Sequence, residues 1–329
     1  MRLRVTAHPM NFREPLRIAG RLFEGIPAIR VTLRDGALTG RGEAGGVFFT
    51  GDDLPHMLAE IERFRPAVEA GTDRAELRRL MPPGGARNAI DAALWELEAR
   101  RAGQPVWRLI GRAPPRPLVT TFTIGADTPE RVLAALRSYR GARALKLKLD
   151  GDLAADVERL RLIRRERPDI WLMADANQGY APAALDDLMA HFVAARVALL
   201  EQPIARGREA DLIGFKSPIP LAADESLLDL ADLLRLAGIF QVANIKLDKC
   251  GGLTEALMLE TEARRIGMRV MVGNMGGSSL AAAPAFQLGQ RCDFVDLDGP
   301  RFLRRDRRPG ARYRDGAIDV PAAVWGDAR

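Results

Sequence analysis

Lysine is scarce in this chain, and where it occurs it is grouped. Of the 49 basic residues only Lys146, Lys148, Lys216, Lys246 and Lys249 are lysines; the rest are arginines. A guanidinium does not give up its proton in a protein, whereas an amine can, so the retained lysines mark positions where a proton has to move. Lys146 and Lys148 stand two apart in the apolar run Arg143-Ala-Leu-Lys-Leu-Lys-Leu149, and Lys246 and Lys249 fall in a second such run. Alternate residues of a strand share a face, which places Lys146 and Lys148 side by side on a buried strand. Between the two runs come Asp175, Glu201 and Asp224, each closing a short apolar segment. Three carboxylates gathered at one point repel unless a hard divalent cation neutralises them, and an oxygen-only donor set suits Mg²⁺. The competing reading of any one acid is an arginine partner or a helix cap. That of any one lysine is a counter-charge or a side chain reaching out to solvent, which fits Lys216 and Lys249 best.

The elements that would position these groups follow from hydrophobic periodicity. After residue 117 there are eight strand candidates: Leu118–Thr123, Ala144–Leu149, Ile170–Asp175, Val197–Glu201, Pro220–Asp224, Val242–Leu247, Arg269–Gly273 and Phe294–Asp298. Helical segments separate them, with start signals such as Thr128-Pro129-Glu130. Eight alternating units with strands buried on both faces predict an α/β fold closed into a parallel barrel. Lys148, Asp175, Glu201, Asp224 and Lys246 then follow one another at intervals of 27, 26, 23 and 22 residues. One polar residue thus recurs near the C-terminal end of most of these strands, where barrels keep their active sites. Lys148 precedes the acids by one strand and Lys246 follows them by one, so the two amines face each other across the mouth. A cation, a second lysine and partial burial all disfavour the charged ammonium, which predicts a lowered pKa, with one amine serving as base and the other as acid.

Ahead of the barrel, residues 2–8, 27–34 and 38–44 read as three short strands. The stretch Asn11–Ile26, polar, rich in Arg and Gly and without a clear period, reads as a mobile loop. Helices are predicted over Asp53–Ala70, Asp73–Met81 and Ala86–Ala102, the last with Ile90, Ala93, Leu94 and Leu97 at amphipathic spacing. The stiff linker Ala113-Pro-Pro-Arg-Pro117 then marks a boundary. Net charge is +6, yet many arginines lie beside acids in helical stretches such as Val157–Arg167, and no basic patch is interleaved with aromatics, which argues against nucleic acid. Two cysteines are too few for a disulfide framework or a zinc site. With no apolar signal core and no run of membrane-spanning length, a cytoplasmic protein without a membrane partner is expected.

A cation that binds a substrate carboxylate, beside a base, suits removal of the α-proton with the developing enediolate stabilised; reprotonation on the other face inverts the centre. The motifs Lys146-Leu-Lys148, Asp175-Ala-Asn177, Glu201-Gln-Pro203, Asp224-Glu-Ser226 and Asn244-Ile-Lys246-Leu-Asp-Lys249-Cys-Gly-Gly252, in this order, resemble those of the enolase superfamily, in its muconate-lactonizing-enzyme subgroup. The resemblance covers almost the whole chain. It implies a (β/α)₇β TIM-like barrel over 116–300, an N-terminal α+β capping domain over 1–115, and a segment 301–329 returning to the cap. It also implies one Mg²⁺ per active site on Asp175, Glu201 and Asp224, with Lys148 and Lys246 as the acid/base pair and Lys146 in electrostatic support. The mandelate-racemase branch needs a catalytic His late in the barrel, and here none follows His191.

Within the subgroup, Phe294-Val-Asp-Leu-Asp-Gly299 discriminates. Asp296 and Asp298 share a face at the end of the last strand and can seat a substrate ammonium, although such a pair can also cap a turn. This Asp-x-Asp resembles the signature of dipeptide epimerases, which implies a dipeptide substrate, with L-Ala-D/L-Glu from murein recycling favoured. Arg21 matches the loop arginine that receives the glutamate side chain in relatives acting on Ala-Glu, while Asn274 stands where such relatives more often carry Cys or Ser. N-acylamino-acid racemase, o-succinylbenzoate synthase and cycloisomerase are the rival activities of the subgroup, and a non-catalytic ligand-binding barrel the rival of another class. Assembly into a homo-oligomer is left open.

Overall fold

The computed structural model describes residues 1–18 and 20–328. Positions 19 and 329, which fall in the predicted loop and in the C-terminal segment, lie outside the described residues. Strand alternation sets the architecture. In the lysine strand, Leu145, Leu147 and Leu149 pack outward into the main core, while Lys146 and Lys148 point the other way, into the barrel. On the next strand, Leu172, Ala174 and Ala176 likewise face outward, and Met173 joins Leu199, Ala222, Val242 and Met271 in a separate inner cluster below the polar end.

The strands in chain order are β1 (Arg2–Ile18), β2 (Arg21–Asp35), β3 (Leu38–Ala44), β4 (Leu118–Val119), β5 (Thr121–Ile124), β6 (Ala144–Lys148), β7 (Trp171–Asp175), β8 (Leu199–Glu201), β9 (Leu221–Ala223), β10 (Val242–Ile245), β11 (Arg269–Val272), β12 (Phe294–Val295), β13 (Arg312–Arg314) and β14 (Ala317–Asp319). Strands β5 to β12 form one parallel eight-stranded sheet in sequential order, as expected of the barrel. Side chains bring its two end strands together: Leu297 N donates to Thr120 Oγ1 (2.9 Å), Thr121 Oγ1 to Asp296 Oδ1 (2.6 Å) and Thr123 N to Asp298 Oδ2 (2.7 Å). The predicted first barrel strand is divided. Leu118 and Val119 pair with β14 in a small antiparallel sheet, and only Thr121–Ile124 joins the barrel.

The capping region consists of β1, β2 and β3 in an antiparallel sheet, with helices α1 (Leu54–Ala70), α2 (Arg74–Leu80) and α3 (Gly85–Ala102). Asp53 and Asp73 cap α1 and α2, and Asp73 with Glu76 forms a capping box. Helix α3 is buried on both sides. Its face Ile90, Ala93, Leu94 and Leu97 belongs to the cap core, while Ala92, Trp95 and Ala99 belong to the barrel core. The buried Arg87 guanidinium donates to Gly251 O (3.1 Å) and to Cys250 O, and also to Arg78 O (3.1 Å) and Met81 O (3.0 Å), tying the cap to the turn after β10. Gly45 N and Gly46 N donate to Asp248 Oδ1 at 2.9 and 3.1 Å on the same turn. Near the C-terminus, Trp325 Nε1 donates to Arg41 O (3.0 Å) and Ala92 O (3.2 Å).

Residues 11–18 and 20–26 are not a mobile loop. β1 and β2 form one long hairpin, paired from Arg2 with Arg34 out to Ile18 with Arg21, with a register shift between Asn11 and Leu16. Arg304 N donates to Asn11 O (2.8 Å) and Arg13 Nε to Leu303 O (2.9 Å), so distant backbone holds the hairpin. Among the described residues no helix is long and apolar enough to cross a membrane.

The approach of α3 to β3 depends on glycine. A Cβ on Gly42 would lie 1.9 Å from the Ala89 carbonyl oxygen, backbone against backbone, whereas one on Gly141 meets nothing within 4 Å. Gly42→Ala is therefore expected to lower unfolding stability in urea by roughly 2 kcal/mol or more, the cost of overpacking, and Gly141→Ala to change it little. Equal midpoints for the two variants would contradict this packing.

Candidate active site

The ladder brings the carboxylates together. Lys148 pairs with Asp175, and Asp175 with Glu201, at one level across β6, β7 and β8. Asp224 directly follows β9 and Lys246 directly follows β10. One oxygen from each of Asp175, Glu201 and Asp224 lies within 4.8 Å of the others, and all three side chains are buried. Lys146 Nζ reaches Asp175 Oδ2 (2.9 Å), Glu201 Oε2 (2.7 Å) and Asp296 Oδ2 (2.9 Å). Lys148 Nζ donates to Asp175 Oδ2 (2.6 Å), and Lys246 Nζ to Asp224 Oδ2 (2.6 Å). β6 and β10 are four strands apart in an eight-stranded ring, so Lys148 and Lys246 reach the acids from opposite sides.

Lys249 is a counter-charge: its buried ammonium donates to Asp224 Oδ1 (2.7 Å) and Asn244 O (3.1 Å), and also to Asp224 O. Lys216 is exposed and away from the cavity. Four amines thus meet six buried carboxyls, the triad together with Glu225, Asp296 and Asp298. The imbalance shows in their proton affinities. Burial opposes ionisation of Asp175 and Asp224, but the lysines beside them hold both below the usual carboxylate range. Glu201 goes the other way, pushed up by burial and by the charge of Asp175. Burial, then Asp224, raises Glu225 to about 7; burial, then Asp296, raises Asp298 to about 7. A buried, oxygen-only cluster with more acids than amines fits a divalent cation.

At Lys246 the protein's own groups run against the expected lowering. Burial pulls Lys246 down, but Asp224 and Glu201 outweigh it and raise its pKa; at Lys146 burial is likewise outweighed by Asp175, Asp296 and Glu201.

Asp296 and Asp298 share the cavity wall with Lys146, Lys148 and Lys246. They lie at the seam between β5 and β12, just beyond the short last strand. Both oxygens of Asp296 are engaged, by Thr121 and by Lys146. Asn274 lines the same cavity and donates from Nδ2 to Asp296 O (2.7 Å), holding the seam residues from the other side. Arg21 does not line the cavity. It is exposed at the hairpin tip, and Phe23, two residues on along the strand, lines the cavity instead.

Several residues without an assigned role in the sequence complete the site. Asn177 Nδ2 donates to Glu225 Oε1 (3.1 Å), and its backbone N to Asp175 Oδ1 (3.0 Å). The Gln202 side chain accepts from Asp224 N (3.0 Å) and Ser226 N (3.2 Å), and donates to Ser226 Oγ (2.8 Å) and Ile204 O (3.0 Å). Asn177 (φ 42°) and Gln202 (φ 37°) adopt left-handed backbone directly after a cluster acid or one residue beyond it, strain of the kind that collects at functional sites. The polar residue trailing each acid in Asp175-Ala-Asn177, Glu201-Gln-Pro203 and Asp224-Glu-Ser226 is the signal that points to them.

Comparison with known proteins agrees with this geometry. Residues 1–111 match the N-terminal domain of the mandelate racemase / muconate lactonizing enzyme family, and residues 130–324 match the enolase C-terminal domain-like family. The L-Ala-D/L-Glu epimerase of Escherichia coli is 38% identical over 292 residues, 88% of this chain and 90% of its own. Among solved structures, an enolase family member from Agrobacterium tumefaciens with homology to dipeptide epimerases, bound to sodium and L-Ala-L-Glu, superimposes with a TM-score of 0.93 at 36% identity, covering 98% of this chain and 99% of that one. The dipeptide epimerase of Methylococcus capsulatus, complexed with Mg and L-Arg-D-Lys, superimposes with a TM-score of 0.87 at 33% identity, over 97% and 96% of the two chains. Two family matches in sequence order and relatives similar over nearly their full lengths fit a capped barrel with three carboxylates at its mouth, and the chain belongs to the enolase superfamily, among the mandelate racemase / muconate lactonizing enzymes.

Proposed function

We propose that this protein is a Mg²⁺-dependent dipeptide epimerase that inverts the carboxyl-terminal residue by proton transfer between two lysines. The observation that carries the reading is the placement of Lys148 and Lys246 on strands four apart, either side of the three-carboxylate cluster, with Asp296 and Asp298 in the same cavity. Dipeptides bound in the A. tumefaciens and M. capsulatus relatives support it. In this scheme the division of labour follows the chain: 1–115 covers the site, 116–300 carries the chemistry, and 301–329 holds the cover in place.

Asp175, Glu201 and Asp224 would hold the cation. When bound, it would supply positive charge that offsets these acids and the substrate carboxylate. The chain's own residues do the rest. Asp298, with Asp296 behind it, receives the substrate ammonium at the seam. Lys148 Nζ or Lys246 Nζ, unprotonated, takes the α-proton, and the ammonium of the other delivers one to the opposite face of the same carbon. Lys146, held among Asp175, Glu201 and Asp296, keeps its charge and stabilises the electron-rich carboxylate, while Thr121 and Asn274 fix the seam.

Incubating dipeptides with Mg²⁺ in ²H₂O and following α-deuterium by mass spectrometry tests the reading. The wild type is expected to label the carboxyl-terminal residue and to interconvert its epimers. Lys148→Ala and Lys246→Ala should each lose epimerisation by roughly 10² to 10⁴-fold, while each retains exchange from the one stereoisomer whose proton faces the remaining lysine. No label in any acidic, basic or apolar dipeptide would sink the assignment.

Mg²⁺ at about a hundred times its dissociation constant should add about 2.7 kcal/mol of stability, seen as a rise in melting temperature of a few degrees. Glu201→Gln should abolish that rise. A Mg²⁺-independent melting temperature in the wild type would remove the metal from the site.

With the Asp298 carboxyl raised to about 7, its charge appears as pH rises through that value. KM for a free-amine dipeptide is therefore expected to fall between about pH 6 and about pH 7.5, before the substrate amine itself deprotonates, and Asp298→Asn should flatten the profile. A flat wild-type profile would exclude Asp298 as the ammonium seat.

A further inference from the structure

We infer that the residue inverted by this enzyme carries an apolar, aromatic-sized side chain, selected by Phe23 and Phe48, in place of the glutamate that the resemblance implies. The inference rests on the dipeptide reading and specifies the substrate class of the same site.

The cap side of the cavity is apolar. Leu16, Ile18 and Phe23 project from the hairpin, and Phe48 and Phe49 from the segment between β3 and α1. Their rings form a continuous wall: Phe23 lies 5.2 Å from Phe48, and Phe48 lies 5.5 Å from Phe49 in an edge-on arrangement. Phe48 is 48% exposed, a large apolar ring left partly in water at the cavity, where a bound apolar group would cover it.

Charge leaves little room for another occupant. The cations lining the cavity are Lys146, Lys148 and Lys246, all on the barrel floor and all paired with carboxylates; among the described residues no arginine lines it. A glutamate side chain directed at the cap would bury its carboxylate without a cation and beside Asp52 and Asp53. Those two acids do not offer a ready seat for a cationic side chain. Asp52 accepts from Gly85 N (2.7 Å) and pairs with His56 Nδ1 (3.0 Å), and Asp53 accepts from His56 N (2.9 Å) as the cap of α1.

The fold also decides which end of the dipeptide meets this wall. The wall continues from Gly45 and Gly46, whose N–H groups bind Asp248, two residues beyond Lys246. It is thereby anchored on the Lys246 side of the mouth, beside one of the two amines that must reach the inverted carbon. A second aromatic pair, Phe12 and Phe302 at 5.8 Å, lines the cavity from the hairpin and from the short helix Gly299–Phe302 that follows Asp298, the proposed ammonium seat.

The test compares kcat/KM of the Mg²⁺-loaded enzyme for L-Ala-L-Phe, L-Ala-L-Leu, L-Ala-L-Glu and L-Ala-L-Lys by α-deuterium incorporation. The Phe and Leu dipeptides should exceed the Glu and Lys ones by roughly ten-fold or more. Phe23→Arg should shift the Glu-to-Phe ratio by roughly ten-fold toward Glu, and Phe48→Ala should lower kcat/KM for L-Ala-L-Phe while sparing L-Ala-L-Ala, with the Mg²⁺-induced rise in melting temperature reporting that both variants fold. Use of L-Ala-L-Glu or L-Ala-L-Lys as well as L-Ala-L-Phe overturns the inference. Exchange confined to N-acetyl amino acids overturns the dipeptide reading alone, and N-acetyl-Phe against N-acetyl-Glu then decides the side-chain class: preference for the Phe compound supports it and preference for the Glu compound overturns it.

Discussion

The constraint on which the rest depends is the burial of more carboxylates than amines at one end of a barrel. An isolated buried charge is costly, and a cluster of one sign is worse. Here Lys146 touches Asp175, Glu201 and Asp296 at once, so a single fully buried ammonium links the triad to the seam. Lys249 does the same work below Asp224, from the turn beyond β10. What these amines leave uncompensated is displaced onto Glu201, Glu225 and Asp298, whose carboxyls are pushed up, or drawn onto a cation. A site in this condition favours positive charge at two places, the triad and the seam.

Such a cluster has to be kept from water on the open side, and the cap provides that cover. The hairpin is not independently fixed: Arg13 and Asn11 meet the backbone of Leu303 and Arg304 almost 300 residues away. Helix α3 joins the two bodies by having two apolar faces, one in each core, with Arg87 satisfying carbonyls from both. Gly40 and Gly42 let β3 approach this helix at backbone distance. The cover is thereby placed over the acids by contacts that have no part in chemistry, which leaves the residues facing the cavity free to vary with the substrate.

The catalytic core was legible because its information is local and periodic. Alternation of two put Lys146 and Lys148 on one face, and the recurrence of a polar residue after most apolar runs placed Asp175, Glu201 and Asp224 at the same end of the sheet. The cap was less legible for the opposite reason. In Asn11–Ile26 the alternating Leu16, Ile18 and Phe23 are diluted by Arg, Glu and Gly, and a register shift interrupts the period. The division of Leu118–Thr123 between two sheets was likewise hidden, because its partner strand lies near the far end of the chain. Arg21, whose type suggested a glutamate receptor, stands exposed at the hairpin tip, two residues before Phe23, which lines the cavity.

By itself, then, the sequence determined the barrel, the order of its strands and the identity of the groups gathered at their ends, since a two-residue period and a repeat of some 25 residues are properties of neighbouring positions. Tertiary structure alone decided how the ring closes, through Thr120, Thr121 and Thr123 on Leu297, Asp296 and Asp298, and which apolar side chains roof the site. Those outcomes depend on contacts between residues some 175 or more positions apart. Their energy comes from burying one surface against another that no local pattern specifies.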